Sequence, residues 1–121
     1  MGKTVIASDV APVGGPYSPG LVTDDGWVFL AGQMGTGDTI EDQVTNIFTK
    51  ISALLAEAGC TLEDVVSCQV HLSDLDAFQR FNAVYEQHFA EPQPVRTTVG
   101  AALLGGGLAE LTVAARRPPA R

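Results

Sequence analysis

Arg96 and Glu110 are the two residues of this sequence whose types can do chemistry together. An arginine is a planar, permanently charged fork that grips a carboxylate through two hydrogen bonds. A glutamate held near an electrophilic carbon can orient a water and accept its proton. Arg96 opens the stretch 96–103, in which Val99, Ala101 and Leu103 form an apolar set while Arg96, Thr98 and Gly100 face the other way. In the stretch 108–115, Leu111, Val113 and Ala115 oppose Glu110, Thr112 and Ala114. Each residue also has a plain reading: a surface arginine beside an acid, and an exposed strand glutamate. If Gly105-Gly106-Gly107 lets the two strands pair as a hairpin, Arg96 and Glu110 share a face and read as a site.

Four further positions join them. Tyr17 lies in a Gly/Pro-rich loop, where it either walls a ligand or packs the loop. Gly32 permits close backbone approach, or is a turn glycine. Asn82 interrupts an apolar helical stripe and reads first as an amide tying down nearby backbone. Thr98 shares the face of Arg96, offering its hydroxyl or its backbone N–H. His71 and His88 have no metal-ligand spacing, so no metal site is expected. Ser18 has no histidine placed as its base, and the glycine triplet lacks the lysine of a phosphate loop.

The elements that position these residues follow from periodicity. Thr4-Val5-Ile6 and Trp27 to Ala31 read as strands, the second buried by composition, and Pro12 to Gly20 and Gly32 to Asp38 as irregular. Thr39 with Asp42 has capping-box spacing. Ile40, Val44, Ile47, Phe48, Ile51, Leu54, Leu55 and Ala58 then recur in steps of three and four, with Gly59 past the end. Val65 to Leu72 alternates, with Val66, Cys68, Val70 and Leu72 on one face and Ser67, Gln69 and His71 on the other. Ser73 with Asp76 caps a second helix, whose stripe is Leu75, Phe78, Phe81, Tyr85 and Phe89. Pro92 and Pro94 prevent its continuation.

The expected order is β-β-α-β-α-β-β in one α+β domain over 1–121: a mixed sheet with two helices packed on one face. Nothing remains to cover the other face, where Thr98, Gly100, Thr112 and Ala114 join Arg96 and Glu110. That face is either wet or closed by a neighbouring subunit, and the second reading, preferred here, places Arg96 and Glu110 at an interface.

Bulk properties exclude several classes. The formal net charge is −7 and no basic stripe is present, so a nucleic-acid partner is not expected. Arg116, Arg117 and Arg121 read as a solvated tail. No apolar run is long enough for a membrane span, and no secretory signal is visible, so a cytoplasmic protein is expected. Cys60 and Cys68 read as reduced, partly buried thiols.

Five stretches in order resemble the RidA/YjgF family of reactive-intermediate deaminases. They are Gly15-Pro16-Tyr17-Ser18, Ala31-Gly32-Gln33, Phe81-Asn82-Ala83-Val84-Tyr85, Pro94-Val95-Arg96-Thr97-Thr98-Val99 and Glu110-Leu111. The resemblance implies a chorismate-mutase-like fold, a homotrimer with sites between subunits, and no metal or organic cofactor. It implies hydrolysis of enamines and imines, such as 2-aminoacrylate, to 2-keto acids and ammonia. Arg96 and Glu110 would then be catalytic, and Tyr17, Gly32, Asn82 and Thr98 would bind substrate. Ala31 and Thr98 stand where the family commonly has serine and cysteine, and Gly105-Gly106-Gly107 replaces a leucine-proline turn. Those departures leave open an enzyme adapted to a particular pathway intermediate. A non-catalytic ligand-binding or chaperone-like trimer is the alternative from another class; a pure scaffold needs neither Arg96 nor Glu110. RNA cleavage has also been attached to family members, and the net charge disfavours it.

Overall fold

In the computed structural model, which describes residues 2–119, seven strands form a single mixed sheet. The strands are β1 (Lys3–Ile6), β2 (Gly20–Thr23), β3 (Trp27–Leu30), β4 (Gln33–Met34), β5 (Val65–Leu72), β6 (Val95–Gly100) and β7 (Ala109–Arg116). Their order is β1-β2-β3-β7-β5-β6, with β4 also pairing β7. All pairs are antiparallel except β5 with β6. Two helices, α1 (Ile40–Glu57) and α2 (Phe78–Tyr85), pack on one face.

The first helix forms where its periodicity places it. The Thr39 side chain accepts from the Asp42 backbone N–H, satisfying one of the free donors of the first turn. Its apolar set, from Ile40 to Ala58, is buried against the sheet. Beyond it, Gly59 takes a positive φ of 76°, and Cys60 N–H closes back on the Leu55 carbonyl. The second helix starts differently from the expected Ser73 cap. Asp74 accepts from Asp76 N–H and opens a 3-10 turn, Leu75–Ala77, which leads into α2. Ser73 instead donates its backbone N–H to the Leu108 carbonyl, just ahead of β7.

Two strands were hidden in the stretches that read as irregular. β2 follows immediately on Pro19, and β4 is only two residues long, too short for alternation to register. β3 is not buried throughout: Val28 and Leu30 are, while Phe29 is half exposed. In β5 a register shift between Val65 and Ser67 buries Val65 and turns Val66 outward, so Val66 leaves the apolar set. Arg116 is not tail: it ends β7 with its guanidinium 5.1 Å from the Trp27 ring. Arg121 lies outside the described residues.

The largest departure is at the end of the chain. β6 and β7 do not pair, because β5 lies between them. The glycine triplet is not a hairpin turn. Leu104–Gly106 makes a 3-10 turn in which Gly105 and Gly106 both sit at positive φ, and the connection passes over the end of β5. β6 is therefore an edge strand, parallel to β5, with Cys68 opposite Arg96, Val70 opposite Thr98 and Leu72 opposite Gly100. Since Cys68, Val70 and Leu72 are buried under the helices, Arg96, Thr98 and Gly100 face the helices too. Val95 and Val99 point to the open face and are exposed.

Candidate functional site

Arg96 and Glu110 stand on opposite faces of the sheet. Glu110 lies opposite His71 of β5, on the face away from the helices, while Leu111 and Val113 beside it are core. Arg96 reaches back over the other face to α2. The expectation that they share a face is thus overturned by the parallel register of β6. Within one chain they do not form a joint site.

On the helix side, α2 builds a seat for Arg96. Phe78, Asn82 and Tyr85 follow one another by four and three residues and so share one helical face. Arg96 Nη1 donates to Asn82 Oδ1 at 2.7 Å. The guanidinium carbon lies 4.7 Å from the Tyr85 ring centroid and 5.5 Å from that of Phe78. Such ring contacts contribute about 0.5–2 kcal/mol each, more as water is excluded. Asn82 therefore holds the arginine rather than the backbone. Beneath lie the Cys68 thiol and the Tyr85 phenol, both pushed up by burial and so neutral at ordinary pH. No carboxylate lies within ion-pair distance of Arg96 among the described residues. A guanidinium held this way, with five donors of which one goes to Asn82, can grip an anion through the others. Thr98 lies two residues further along the same face.

On the open face, Glu110 is half-buried between Met34 of β4 and His71 of β5. His71 Nδ1 is 3.8 Å from Glu110 Oε1, and that nitrogen is buried without a hydrogen-bond partner. The chain breaks strand pairing at Ala31-Gly32, between β3 and β4, and lays Gly32 across Glu110. A Cβ at Gly32 would stand 2.9 Å from Glu110 Oε2 and 3.1 Å from the Thr112 hydroxyl. Here the glycine serves close approach; its φ is not in the left-handed region.

Tyr17 joins neither cluster. Its ring folds back on its own loop, with its hydroxyl 3.4 Å from the Gly14 N–H and its side chain half exposed. The six expected residues thus fall in three places: Arg96, Asn82 and Thr98 on the helix face, Glu110 with Gly32 on the open face, and Tyr17 on the loop. Five concavities among the described residues are lined by neither Arg96 nor Glu110. The sequence reading missed Phe78, Tyr85 and His71 as partners. The spacing of Phe78 and Tyr85 around Asn82 was a usable signal; the position of His71 opposite Glu110 depends on strand order and was not. Among the described residues no cluster of three or more His, Cys, Asp or Glu could hold a metal, and no helix is long and apolar enough to cross a membrane.

A mixed sheet backed by two helices, with an arginine seated on the second helix and a glutamate under a glycine loop, defines a small α+β ligand-binding class. The chain belongs to the RidA/YjgF family: residues 8–116 match the family model described as endoribonuclease L-PSP. It is 37% identical to a RutC family protein of Saccharolobus solfataricus, covering 95% of this chain and 98% of that one. It is 35% identical to the mitochondrial protein mmf2 of Schizosaccharomyces pombe, over 84% of each chain. Among solved structures it is similar to RidA from the Antarctic bacterium Psychrobacter sp. PAMC 21119, with a TM-score of 0.89, 31% identity and coverage of 93% and 98%.

Proposed function

We propose that this protein is a deaminase of reactive 2-imino acids, working as a homotrimer whose sites combine Arg96 of one subunit with Glu110 of the next. The observation that carries this reading is the seat of Arg96: an arginine fixed by an amide and two rings, without a carboxylate partner among the described residues. A 2-imino acid supplies that carboxylate. Because Arg96 and Glu110 lie on opposite faces, a second chain would have to bring its Glu110 to the arginine. The open face has the character of an interface. Val5, Leu21, Phe29, Ala114, Ser67 and Val95 form one row across the sheet, and Val5, Phe29 and Val95 are more than half exposed. The number three comes from the family likeness.

In the reaction, the iminium carbon accepts the oxygen of water while Glu110 accepts a proton, and the C=N pair withdraws onto nitrogen. Glu110 returns the proton to nitrogen. The C–N bond then breaks with its electrons leaving on ammonia, and the hydroxyl oxygen forms the keto group, releasing its own proton. The protonated imine is already electrophilic, so the site contributes positioning and modest base help. Thr98, Gly32 and Tyr17 would line the cleft from the two subunits, without cofactor or metal. A cytoplasmic location fits a substrate of intermediary metabolism. RNA cleavage has less support, given the net charge of −7.

The test is a coupled assay in which an enzyme generating 2-aminoacrylate runs with and without this protein while keto-acid appearance is followed. Faster appearance is expected. An unchanged rate with the folded, assembled protein removes the deaminase reading.

A further inference from the structure

His71 is a side chain that the proposed chemistry leaves unused. It stands directly opposite Glu110 across β5 and β7, on the same open face. Its Nδ1 is buried, has no hydrogen-bond partner, and lies 3.8 Å from Glu110 Oε1. The groups facing it otherwise carry no charge: β6 presents Val99, Met34 of β4 flanks Glu110, and Gln69 is its neighbour on its own strand. Among the described residues Glu110 is thus the one carboxylate that the sheet offers this nitrogen. The other carboxylate oxygen, Oε2, lies under Gly32, where the absence of a Cβ leaves room.

We propose that His71 is the positioning residue of Glu110: a small side-chain shift closes the 3.8 Å gap, Nδ1–H takes Oε1 as its acceptor, and Oε2, beneath Gly32, is left for the attacking water. The two oxygens are thereby divided between orientation and proton transfer. A carboxylate held at one oxygen keeps the other aimed, whereas a free strand glutamate rotates between orientations. The catalytic consequence rests on the deaminase reading; the His71–Glu110 link does not.

Imidazole 15N shifts of histidine-labelled protein test the link without substrate. The chain has two histidines. His88, stacked on Phe48 with Nδ1 2.9 Å from the Val84 carbonyl oxygen, must carry its proton on Nδ1 and serves as the internal reference. At alkaline pH His71 should show the same Nδ1–H tautomer. Glu110→Ala should convert His71, and not His88, toward Nε2–H. A wild-type His71 in the Nε2–H form, or one indifferent to Glu110→Ala, overturns the proposal. In turnover, His71→Phe should lower kcat by roughly tenfold with KM changed less than about twofold, because the residue acts on the base and not on the bound carboxylate. His71→Asn, which returns an N–H near the place of Nδ1, should recover most of the loss. Equal loss in the Phe and Asn variants, or no loss in either, also overturns it. If the wild type does not deaminate at all, the deaminase reading falls while the tautomer measurement still decides the link.

Discussion

At the scale of single residues, the guanidinium of Arg96 is oriented before any ligand arrives. Its seat of one amide oxygen and two ring faces holds the fork, so less entropy would be lost if, as proposed, a carboxylate binds there. Arg96→Ala should therefore reduce kcat/KM for 2-imino acids by roughly a hundredfold or more, since a hydrogen bond to a charged group contributes about 1.5–3 kcal/mol and about 1.4 kcal/mol is tenfold in rate. Arg96→Lys should not restore it, because a point charge lacks the fork and stacks poorly. Steady-state kinetics of both variants checks this, and full activity in the alanine variant would remove Arg96 from the site. Gly32→Ala tests the other half. The new methyl falls 2.9 Å from Glu110 Oε2, and the flexible carboxylate end must yield. Turnover should drop while thermal stability changes little; a kcat equal to wild type would show that the position of Glu110 is unimportant.

At the scale of elements, α2 holds Arg96 and is itself tied to α1. Asn82→Ala removes the amide acceptor and leaves the rings. KM should rise roughly tenfold, in line with the low end of about 1.5–3 kcal/mol for a hydrogen bond to a charged group, since this one is exposed, with kcat less affected. The tie between helices is Arg80, which donates to both carboxylate oxygens of Glu41 at 2.9 and 2.6 Å. That bond holds the Glu41 carboxyl down at about 2, below its ordinary 4.5. A depressed carboxylate stabilises the fold above its unfolded value and loses that contribution as pH falls from about 4.5 toward 2. Both side chains are largely exposed, so the effect is small and screened by salt. Denaturant midpoints measured across that pH interval should fall less steeply in Arg80→Ala than in wild type. Parallel curves would show that the pair does not couple the helices.

At the scale of the whole molecule, a sheet covered on one face only leaves the other to water or to a partner, and exposed apolar side chains favour a partner. The exposed row through Phe29 and Val95 and the separation of Arg96 from Glu110 point to the same remedy, a neighbouring copy. Light scattering at micromolar concentration should report a trimer. A sharper test mixes two inactive variants, Arg96→Ala and Glu110→Gln, after co-refolding. If each cleft draws its arginine and its glutamate from different subunits, random mixing restores about a quarter of wild-type activity, because both intact partners meet at one cleft in four. No recovery would place the whole site within one chain.

The sequence by itself determined what depends on near neighbours along the chain. The helical stripe from Ile40 to Ala58, the Thr39 cap, the alternation around Leu111 and the Gly59 stop are all local, and the structure keeps them. The motif order that carries the family likeness is legible for the same reason. Strand order is different, because it is settled by contacts between residues far apart in sequence. Whether β6 pairs β7 or β5 cannot be read from Val95–Gly100, an edge strand whose apolar residues Val95 and Val99 lie on the open face. A strand's alternation tells which residues share a face and not which face meets the core. That choice was made by the parallel register that sets Arg96 beside buried Cys68. It sent the arginine to the helices and left the glutamate on the open face beside His71, so the two residues expected to share a face stand on opposite ones.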